Sequence, residues 1–133
     1  MSGYLGSIGF AFPAALGAWS ATRGKRPVIA VAGDGGFAQY MAELSTSVKY
    51  NMDIKLIILN NSELGKISKE QRSGGFDVFA TDLHNPDFSE FAKGCGALGL
   101  RVEQKNELEE EMQRVIMHKG TALLEIKTDV NLV

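Results

Sequence analysis

The fold is decided by the stretch Val28-Ile29-Ala30-Val31-Ala32, which runs directly into Gly33-Asp34-Gly35-Gly36. A short apolar run that ends at a cluster of glycines is typical of a buried strand followed by a turn. Apolar side chains then recur at helical spacing from about Phe37 to Tyr50, and the β-branched run Ile54–Leu59 ends at Asn60-Asn61. The second run predicts a strand covered on both faces, as in a parallel sheet. The order strand, helix, strand therefore predicts one parallel crossover unit.

The second half of the chain continues the same alternation. Asn85 and Pro86 predict the N-cap and the first residue of a helix, because proline is favoured at that position. Asn106, with Glu109 three residues later, is a capping-box pattern that opens a further helix. Two more strands are predicted, at Leu100-Arg101-Val102 and at Ala122–Ile126.

These elements predict a single domain over residues 1–133 with an α/β fold. We expect a three-layer αβα arrangement around a mostly parallel sheet, since strands that alternate with helices pack in that way. A first helix, from about Pro13 to Thr22, precedes the first clear strand. The domain is therefore expected to begin within a loop, which is compatible with an N-terminal truncation.

Composition excludes several classes of partner. The 133 residues include 14 Lys+Arg and 16 Asp+Glu, for a formal net charge of -2, so neither nucleic acid nor an anionic membrane is an expected partner. The lone Cys95 cannot form an internal disulfide, which suits the cytoplasm. The apolar stretch Ile8–Trp19 is interrupted by Gly9, Pro13 and Gly17 and is far shorter than the roughly 20 residues that span a bilayer. We expect no membrane span.

A literal GxGxxG pattern occurs at Gly94-Cys95-Gly96-Ala97-Leu98-Gly99. In a dinucleotide site this pattern follows a strand and opens a helix, so that phosphate meets the helix N-terminus. Here the order is reversed, because the pattern follows a predicted helix and leads into the strand at Leu100-Arg101-Val102. We interpret it as the end of a helix and a loop.

The turn Gly33-Asp34-Gly35-Gly36 has a different position, at the carboxyl end of a parallel strand and before a helix. Open α/β sheets bind ligands at such ends, and glycines allow a close approach of the backbone to phosphate. Asp34 would repel a bare phosphate unless a divalent cation lay between them. Magnesium suits this arrangement, because it takes one or two carboxylates and completes its octahedron with phosphate oxygens and water. A plain turn in which Asp34 caps the helix remains the alternative.

The pair Asn60-Asn61 strengthens the metal hypothesis. It follows the next strand, so both loops should lie at the same edge of the sheet. An Asn amide oxygen is a neutral hard ligand, and the irregular segment Ser62–Gly65 can offer a main-chain carbonyl. One carboxylate, one amide and one carbonyl would leave room for two phosphate oxygens and a water.

Together, Gly33-Asp34-Gly35 and Asn60-Asn61 resemble the thiamine diphosphate and magnesium motif of thiamine-dependent enzymes. Further segments are similar to the pyruvate oxidase, acetolactate synthase and pyruvate decarboxylase group: Gly3–Phe10, Pro13–Ala18, Gly35–Phe37, Glu43–Thr46 and Asn61–Gly65. Three segments look most like the pyruvate oxidase and acetolactate synthase branch: Gly74–Phe76, Asp82–His84 and Asn85–Phe88. The resemblance covers nearly the whole chain.

The resemblance implies roles for individual residues. Mg²⁺ would be bound by the side chains of Asp34 and Asn61 and by the main-chain carbonyl of Glu63. Ile8 would be the apolar wedge that bends the cofactor, in place of the methionine that many relatives have. Gly36 stands where many relatives have serine, so only its N–H can contribute. The implied cofactor-binding residues are Gly6, Ser7, Ile8, Asp34, Gly35, Gly36, Asn61, Glu63, Leu64 and Gly65.

The resemblance also implies an activity and partners. The cofactors would be thiamine diphosphate and Mg²⁺, the substrate a 2-oxo acid such as pyruvate, and the assembly a homo-oligomer such as a dimer. A pyrimidine-binding domain on another segment or chain normally supplies the activating glutamate, and no segment of this sequence resembles that domain. We therefore assign no catalytic residue here and expect weak cofactor binding and no catalysis by this chain alone.

The sequence leaves several alternatives open. It does not choose among oxidase, synthase and decarboxylase, which correspond to oxidoreductase, transferase and lyase chemistry, or decide whether the full-length enzyme is a flavoprotein with FAD. A stand-alone small subunit that pairs with a separate pyrimidine-domain chain is one alternative. A non-catalytic Mg²⁺-binding α/β module is the other.

Overall fold

A parallel four-stranded sheet forms the centre of the protein in the computed structural model, which describes residues 6–22 and 24–132. The motif residues Gly3-Tyr4-Leu5 lie outside the described residues. The strands are β1 (Val28–Gly33), β2 (Ile54–Asn60), β3 (Leu98–Val102) and β4 (Ala122–Lys127). They are parallel throughout and lie in the order β1-β2-β4-β3, which confirms the predicted parallel sheet.

Helices connect the strands and cover the sheet. The α-helices are α1 (Ala11–Thr22), α2 (Asp34–Ala38), α3 (Leu44–Lys49), α4 (Gly65–Ser73), α5 (Phe88–Gly94) and α6 (Leu108–Met117). Single turns of 3-10 helix lie at Met41–Glu43, Lys105–Glu107 and Val130–Leu132.

The core is divided between the two faces of the sheet. On one face, α1, α2, α3 and α5 bury side chains such as Phe12, Phe37, Leu44 and Phe88 against the strands. On the other face, α6 places Val115 against β3 and β4. Helices therefore lie on both sides of the sheet, which confirms the predicted αβα layers.

The first strand is less buried than its apolar sequence suggested. Ile29 is 59% exposed and Val31 is 57% exposed, so the interpretation of β1 as a buried strand was wrong for one of its faces. The reason is its place in the sheet: β1 is an edge strand, and α6, on that face, packs mainly against β3 and β4. By contrast, β2 is central and buried at every position except Leu59, as predicted.

The predicted helix from Phe37 to Tyr50 is interrupted in the structure. Tyr40 leaves the helical region, with φ -127° and ψ 15°, so α2 and α3 are separate helices. The Tyr40 ring packs against Gly9, where a Cβ would lie only 2.6 Å from a ring carbon. The break therefore brings an aromatic side chain of this segment onto the turn that precedes α1.

Two predicted helix starts are displaced by about two residues. The N-cap of α5 is Asp87, whose side chain accepts from the Glu90 N–H, and not Asn85. The capping box is formed by Gln104 and Glu107, because Asn106 already lies inside the 3-10 turn that leads into α6. Asn85 is instead drawn towards the carboxyl edge of the sheet, where it contacts Asp34.

Candidate cofactor site

Three neighbouring strands end at one edge of the sheet, and the loops that follow them carry the predicted site. In the sheet register, Gly33 of β1 lies opposite Leu59 of β2, and Asn60 lies opposite Lys127 of β4. Asp34 and Asn61, which directly follow these strand ends, are thus placed in adjacent loops. The edge matches the position at which open α/β sheets bind ligands.

Asp34 is held in place by two hydrogen bonds. Its side chain is almost fully buried, at 2% exposure. Oδ2 accepts from the Ser62 N–H at 2.9 Å and from Asn85 Nδ2 at 2.6 Å. A carboxylate that is fixed in this way has little rotational freedom left to lose when it binds a cation.

The loop after β2 is built by asparagine side chains that bond to the backbone ahead of them. Oδ1 of Asn60 accepts from the Ser62 N–H at 3.1 Å, and Oδ1 of Asn61 accepts from the Glu63 N–H at 3.1 Å. Such turns are a common use of Asn, and they let the chain reverse without regular structure. Ser62 lies in the left-handed region, with φ 58°.

The same loop is fastened to a second segment of the chain. The Leu64 N–H donates to the Thr81 carbonyl and the Leu83 N–H donates to the Ser62 carbonyl, both at 2.8 Å. Glu63 forms an antiparallel bridge with Asp82 between these bonds. Residues 62–64 therefore have their geometry set from both sides, by the asparagine turns and by this short ladder.

The side chain of Glu63 is engaged away from the predicted metal position. Its Oε1 accepts from Thr81 Oγ1 at 3.2 Å and lies 3.6 Å from Arg72 Nη2 on α4. This leaves the main-chain carbonyl as the part of Glu63 that fits the predicted role. The chain that follows is helical from Gly65 to Ser73.

Two adjoining cavities bring the predicted residues together. The larger has a volume of about 530 Å³, and the following predicted cofactor residues line it: Gly6, Ser7, Ile8, Asp34, Gly35, Gly36, Glu63, Leu64 and Gly65. The smaller has a volume of about 420 Å³, and Asp34, Asn61 and Glu63, the three predicted metal ligands, all line it. Among the predicted cofactor-binding residues, all of which the structure describes, only Asn61 does not line the larger cavity.

Glycines allow the loops around the larger cavity to approach one another closely. A Cβ on Gly36 would lie 3.2 Å from the Gly9 nitrogen and 3.7 Å from Ile8 Cγ1. A Cβ on Gly35 would lie 2.9 Å from Leu64 Cδ2. A serine at position 36 would therefore crowd the backbone at Gly9.

Some residues at this edge were not recognised from the sequence. Asn85 contacts Asp34, although its pairing with Pro86 had indicated a helix start. Thr128 and Asp129 line the smaller cavity because they follow β4, and Lys66 lines the larger one as the second residue of α4. The available signal for Thr128 and Asp129 was their polar character within three residues of the end of a predicted strand.

The parallel sheet with helices on both faces and two adjoining cavities at its carboxyl edge defines the class of protein as a three-layer α/β domain. Residues 1–126 match the family model for the thiamine pyrophosphate enzyme, C-terminal TPP binding domain. The chain belongs to this family.

Named relatives agree with the family. The chain is 43% identical over 81% of its length to the putative thiamine pyrophosphate-containing protein YdaP of Bacillus subtilis, of which it covers 19%. It is 38% identical over 96% of its length to the mitochondrial acetolactate synthase catalytic subunit of Aspergillus candidus, of which it covers 18%. For the corresponding subunit of Saccharomyces cerevisiae, the identity is 37% over 96% of this chain and 19% of the relative. The chain thus spans about a fifth of the length of these relatives.

Within residues 6–22 and 24–132, every helix is too short or too polar to cross a bilayer.

Proposed function

We propose that this chain binds thiamine diphosphate together with Mg²⁺ at the carboxyl edge of its sheet. It would serve as the diphosphate-binding part of an enzyme that decarboxylates a 2-oxo acid such as pyruvate. The observation that carries the proposal is that Asp34, Asn61 and Glu63 line one cavity, which adjoins the glycine-lined cavity of Gly35 and Gly36.

The three proposed ligands, from Asp34, Asn61 and Glu63, fit Mg²⁺ better than they fit a metal ion whose ligands all come from protein side chains. The described residues contain no group of three or more His, Cys, Asp or Glu that could hold a metal. One carboxylate from Asp34, one amide oxygen from Asn61 and one carbonyl from Glu63 are too few to complete an octahedron. A magnesium ion takes its remaining ligands from phosphate and water, so these three residues fit a magnesium diphosphate. Since both Asp34 hydrogen bonds reach Oδ2, Oδ1 is the atom that we assign to the metal.

The other residues would bind and orient the organic part of the cofactor. Gly35 and Gly36 lie in the first turn of α2, where backbone N–H groups have no partner within the helix and suit diphosphate oxygens. Leu64 and Gly65 would lie along the diphosphate. Ile8 is 50% exposed and lines the larger cavity, so its side chain is free to act as the apolar wedge. The backbone of Gly6 and its neighbours Ser7 and Ile8 would meet the pyrimidine edge.

When bound, thiamine diphosphate supplies a thiazolium carbon that adds to the carbonyl of a 2-oxo acid and stabilises the charge left after loss of CO₂. Within this reaction, the residues of this chain bind, orient and exclude water, and we assign none of them a catalytic role. The pyrimidine half of the cofactor would be activated by a glutamate of a pyrimidine-binding domain on another segment or chain, within a homo-oligomer. The names of the fungal relatives favour the acetolactate synthase type, whereas the pyruvate oxidase type and the use of FAD rest on the sequence resemblance.

Binding and thermal stability test the proposal together. The melting temperature would be measured with Mg²⁺ alone, with thiamine diphosphate alone and with both, and the binding heat would be measured by calorimetry. We expect a further stabilisation with both ligands, because a ligand that binds only the native state raises its stability. Asp34→Ala should abolish this further shift, whereas the matched variant Asp77→Ala, in the exposed loop after α4, should retain it.

Three outcomes would contradict parts of this proposal. A shift with Mg²⁺ alone that thiamine diphosphate does not increase would favour the non-catalytic magnesium module. A cofactor-dependent shift that survives Asp34→Ala would show that the metal assignment is wrong. Turnover of pyruvate by this chain without a second polypeptide would refute the dependence on a separate pyrimidine-binding domain.

A further inference from the structure

A buried glutamate lies next to the candidate cofactor site without lining either of its cavities. Glu125 of β4 is only 1% exposed. Its Oε2 accepts from the backbone N–H groups of Phe88 at 3.1 Å and Ser89 at 3.3 Å, at the start of α5. Its Oε1 accepts from Asn60 Nδ2 at 2.6 Å. The carboxylate therefore joins the start of α5 to the end of β2.

The contact with Glu125 fixes which way the Asn60 amide points. Both carboxyl oxygens of Glu125 accept hydrogen bonds, and the group of Asn60 that donates to Oε1 is its NH₂. Oδ1 of Asn60 then faces the opposite way, where it accepts from the Ser62 N–H at 3.1 Å and from Asn85 Nδ2 at 3.2 Å.

The orientation of Asn85 follows in turn. One proton of its Nδ2 goes to Asn60 Oδ1 and the other goes to Asp34 Oδ2, at 2.6 Å. If the Asn60 amide were reversed, two NH₂ groups would face each other and Asn85 could not donate in both directions. The alternation of donors and acceptors thus runs without a break from Glu125 through Asn60 and Asn85 to Asp34.

We propose that Asn85 is a positioning residue for the metal-binding carboxylate of Asp34, and that Glu125 sets its orientation through Asn60. The inference rests on the proposed function, because it assigns these residues a purpose in Mg²⁺ binding. Glu125 lines neither cavity, and Asn85 is outside both sets of lining residues. Outer partners of metal ligands typically change metal affinity by about 10–100-fold when they are removed.

The alternative is a merely structural role, in which Asn85 ties the segment before α5 to the sheet. The two roles differ in whether added Mg²⁺ restores the thiamine diphosphate binding that is lost when Asn85 is removed. If Asn85 only positions Asp34, its removal lowers the apparent affinity for Mg²⁺, and a high concentration of Mg²⁺ restores the binding of thiamine diphosphate. If Asn85 only stabilises the fold, cofactor binding at saturating Mg²⁺ falls in proportion to the unfolded fraction.

In the first experiment, calorimetry measures the binding of thiamine diphosphate at a series of Mg²⁺ concentrations, for the wild-type chain and for Asn85→Ala. We expect the apparent Mg²⁺ affinity of the variant to fall by about 10–100-fold, with full cofactor binding recovered at saturating Mg²⁺. The matched control is Thr121→Val, which removes two buried hydrogen bonds, to Ser47 and to the Met52 carbonyl, at the opposite edge of the sheet. This control should lower the melting temperature without changing the Mg²⁺ affinity.

A second experiment tests the relay from Glu125. In Glu125→Gln, the carboxamide oxygen must face α5, so its NH₂ meets the NH₂ of Asn60 and the chain of donors is disrupted. In the double variant Asn60→Asp with Glu125→Gln, the carboxylate at position 60 accepts from the carboxamide at position 125 and still accepts from Asn85. We expect Glu125→Gln to weaken Mg²⁺ binding and the double variant to recover it at least to within about threefold, a non-additivity typical of residues in one network.

The outcomes separate this inference from the proposed function. Equal Mg²⁺ affinity in the wild type and in Asn85→Ala would overturn the inference and leave the proposed function standing. A double variant that binds Mg²⁺ no more tightly than Glu125→Gln would overturn the relay from Glu125. An absence of Mg²⁺-dependent cofactor binding in the wild-type chain would overturn the proposed function, and the inference with it.

Discussion

The backbone N–H of Ser62 donates a 2.9 Å hydrogen bond to Oδ2 of Asp34, while Ser62 itself adopts a left-handed conformation with φ 58°. This bond links the loops after β1 and β2 across the edge of the sheet. The backbone strain at Ser62 is thus stored beside the carboxylate that we assign to the metal, which is where strained residues are often found.

The strain at Ser62 leads to a prediction about stability. Ser62→Val should lower the free energy of unfolding by about 1–2 kcal/mol, because a β-branched side chain is poorly tolerated in the left-handed region. Ser62→Gly is the control, since it removes the strain and keeps the N–H that Asp34 accepts. Denaturant unfolding of the two variants would measure the difference, and equal stability would contradict the role of strain.

A second prediction concerns the glycines of the GxGxxG pattern, which the structure shows to be the end of α5 and the start of β3. A Cβ on Gly99 would lie 2.0 Å from the Ser89 carbonyl oxygen, a backbone atom that cannot move aside. Gly99→Ala should therefore destabilise the protein by about 3 kcal/mol or more. Gly94, in the last turn of α5, has open space around it, so Gly94→Ala should be neutral or stabilising by up to about 1 kcal/mol. Thermal unfolding that ranks the two variants equally would refute this explanation.

A third prediction concerns the acid stability of the α5 N-terminus. Burial raises the pKa of Asp87, but hydrogen bonds from Ser89 and the Glu90 N–H, together with the Arg101 guanidinium, outweigh it and hold this pKa below its ordinary value of 3.8. Because the folded-state pKa is the lower one, the ionised side chain contributes stability that is fully present above about pH 3.8 and is lost as the pH falls through the folded-state pKa.

Asp87→Asn removes this titration and keeps an N-cap of similar quality. As the pH decreases below about 4, the free energy of unfolding should therefore fall more steeply in the wild type than in Asp87→Asn. Chemical unfolding at a series of pH values would measure both slopes. Parallel curves would show that Asp87 does not contribute to the acid response.

The fold could be predicted from the sequence largely because its signals are local. Continuous apolar runs marked β2 and β4, and the order of strands and helices was enough for a parallel sheet. What could not be predicted was decided by tertiary contacts. The exposure of Ile29 and Val31 depends on β1 being an edge strand, and the break at Tyr40 places its ring against Gly9, which is distant in sequence.

The candidate site could be predicted where its residues directly follow strand ends. The prediction was incomplete where segments that are distant in sequence come together. Asp34 and Asn61 were found because their loops follow adjacent strands. Asn85 was missed because a favourable local pattern, Asn before Pro, suggested a helix cap, and the stronger partner was a buried carboxylate 51 positions away. A signal for Glu125 was present in Ala122-Leu123-Leu124-Glu125-Ile126, since an acidic residue inside an otherwise apolar strand needs buried partners.

The short ladder between residues 62–64 and 81–83 divides this surface into the loop beside Asp34 and the segment beyond the ladder. The ladder closes the base of the excursion that contains α4 and the exposed side chains of Phe76 and Phe79. Insertions or replacements between the end of α4 at Ser73 and the ladder at Thr81 can change the exposed end of this excursion without moving the carbonyls and amides around Asp34, since long surface loops tolerate changes of length at low energetic cost. The exposed end can therefore vary in sequence and length while Leu64 and Gly65, at the start of the excursion, keep the positions in which they line the larger cavity.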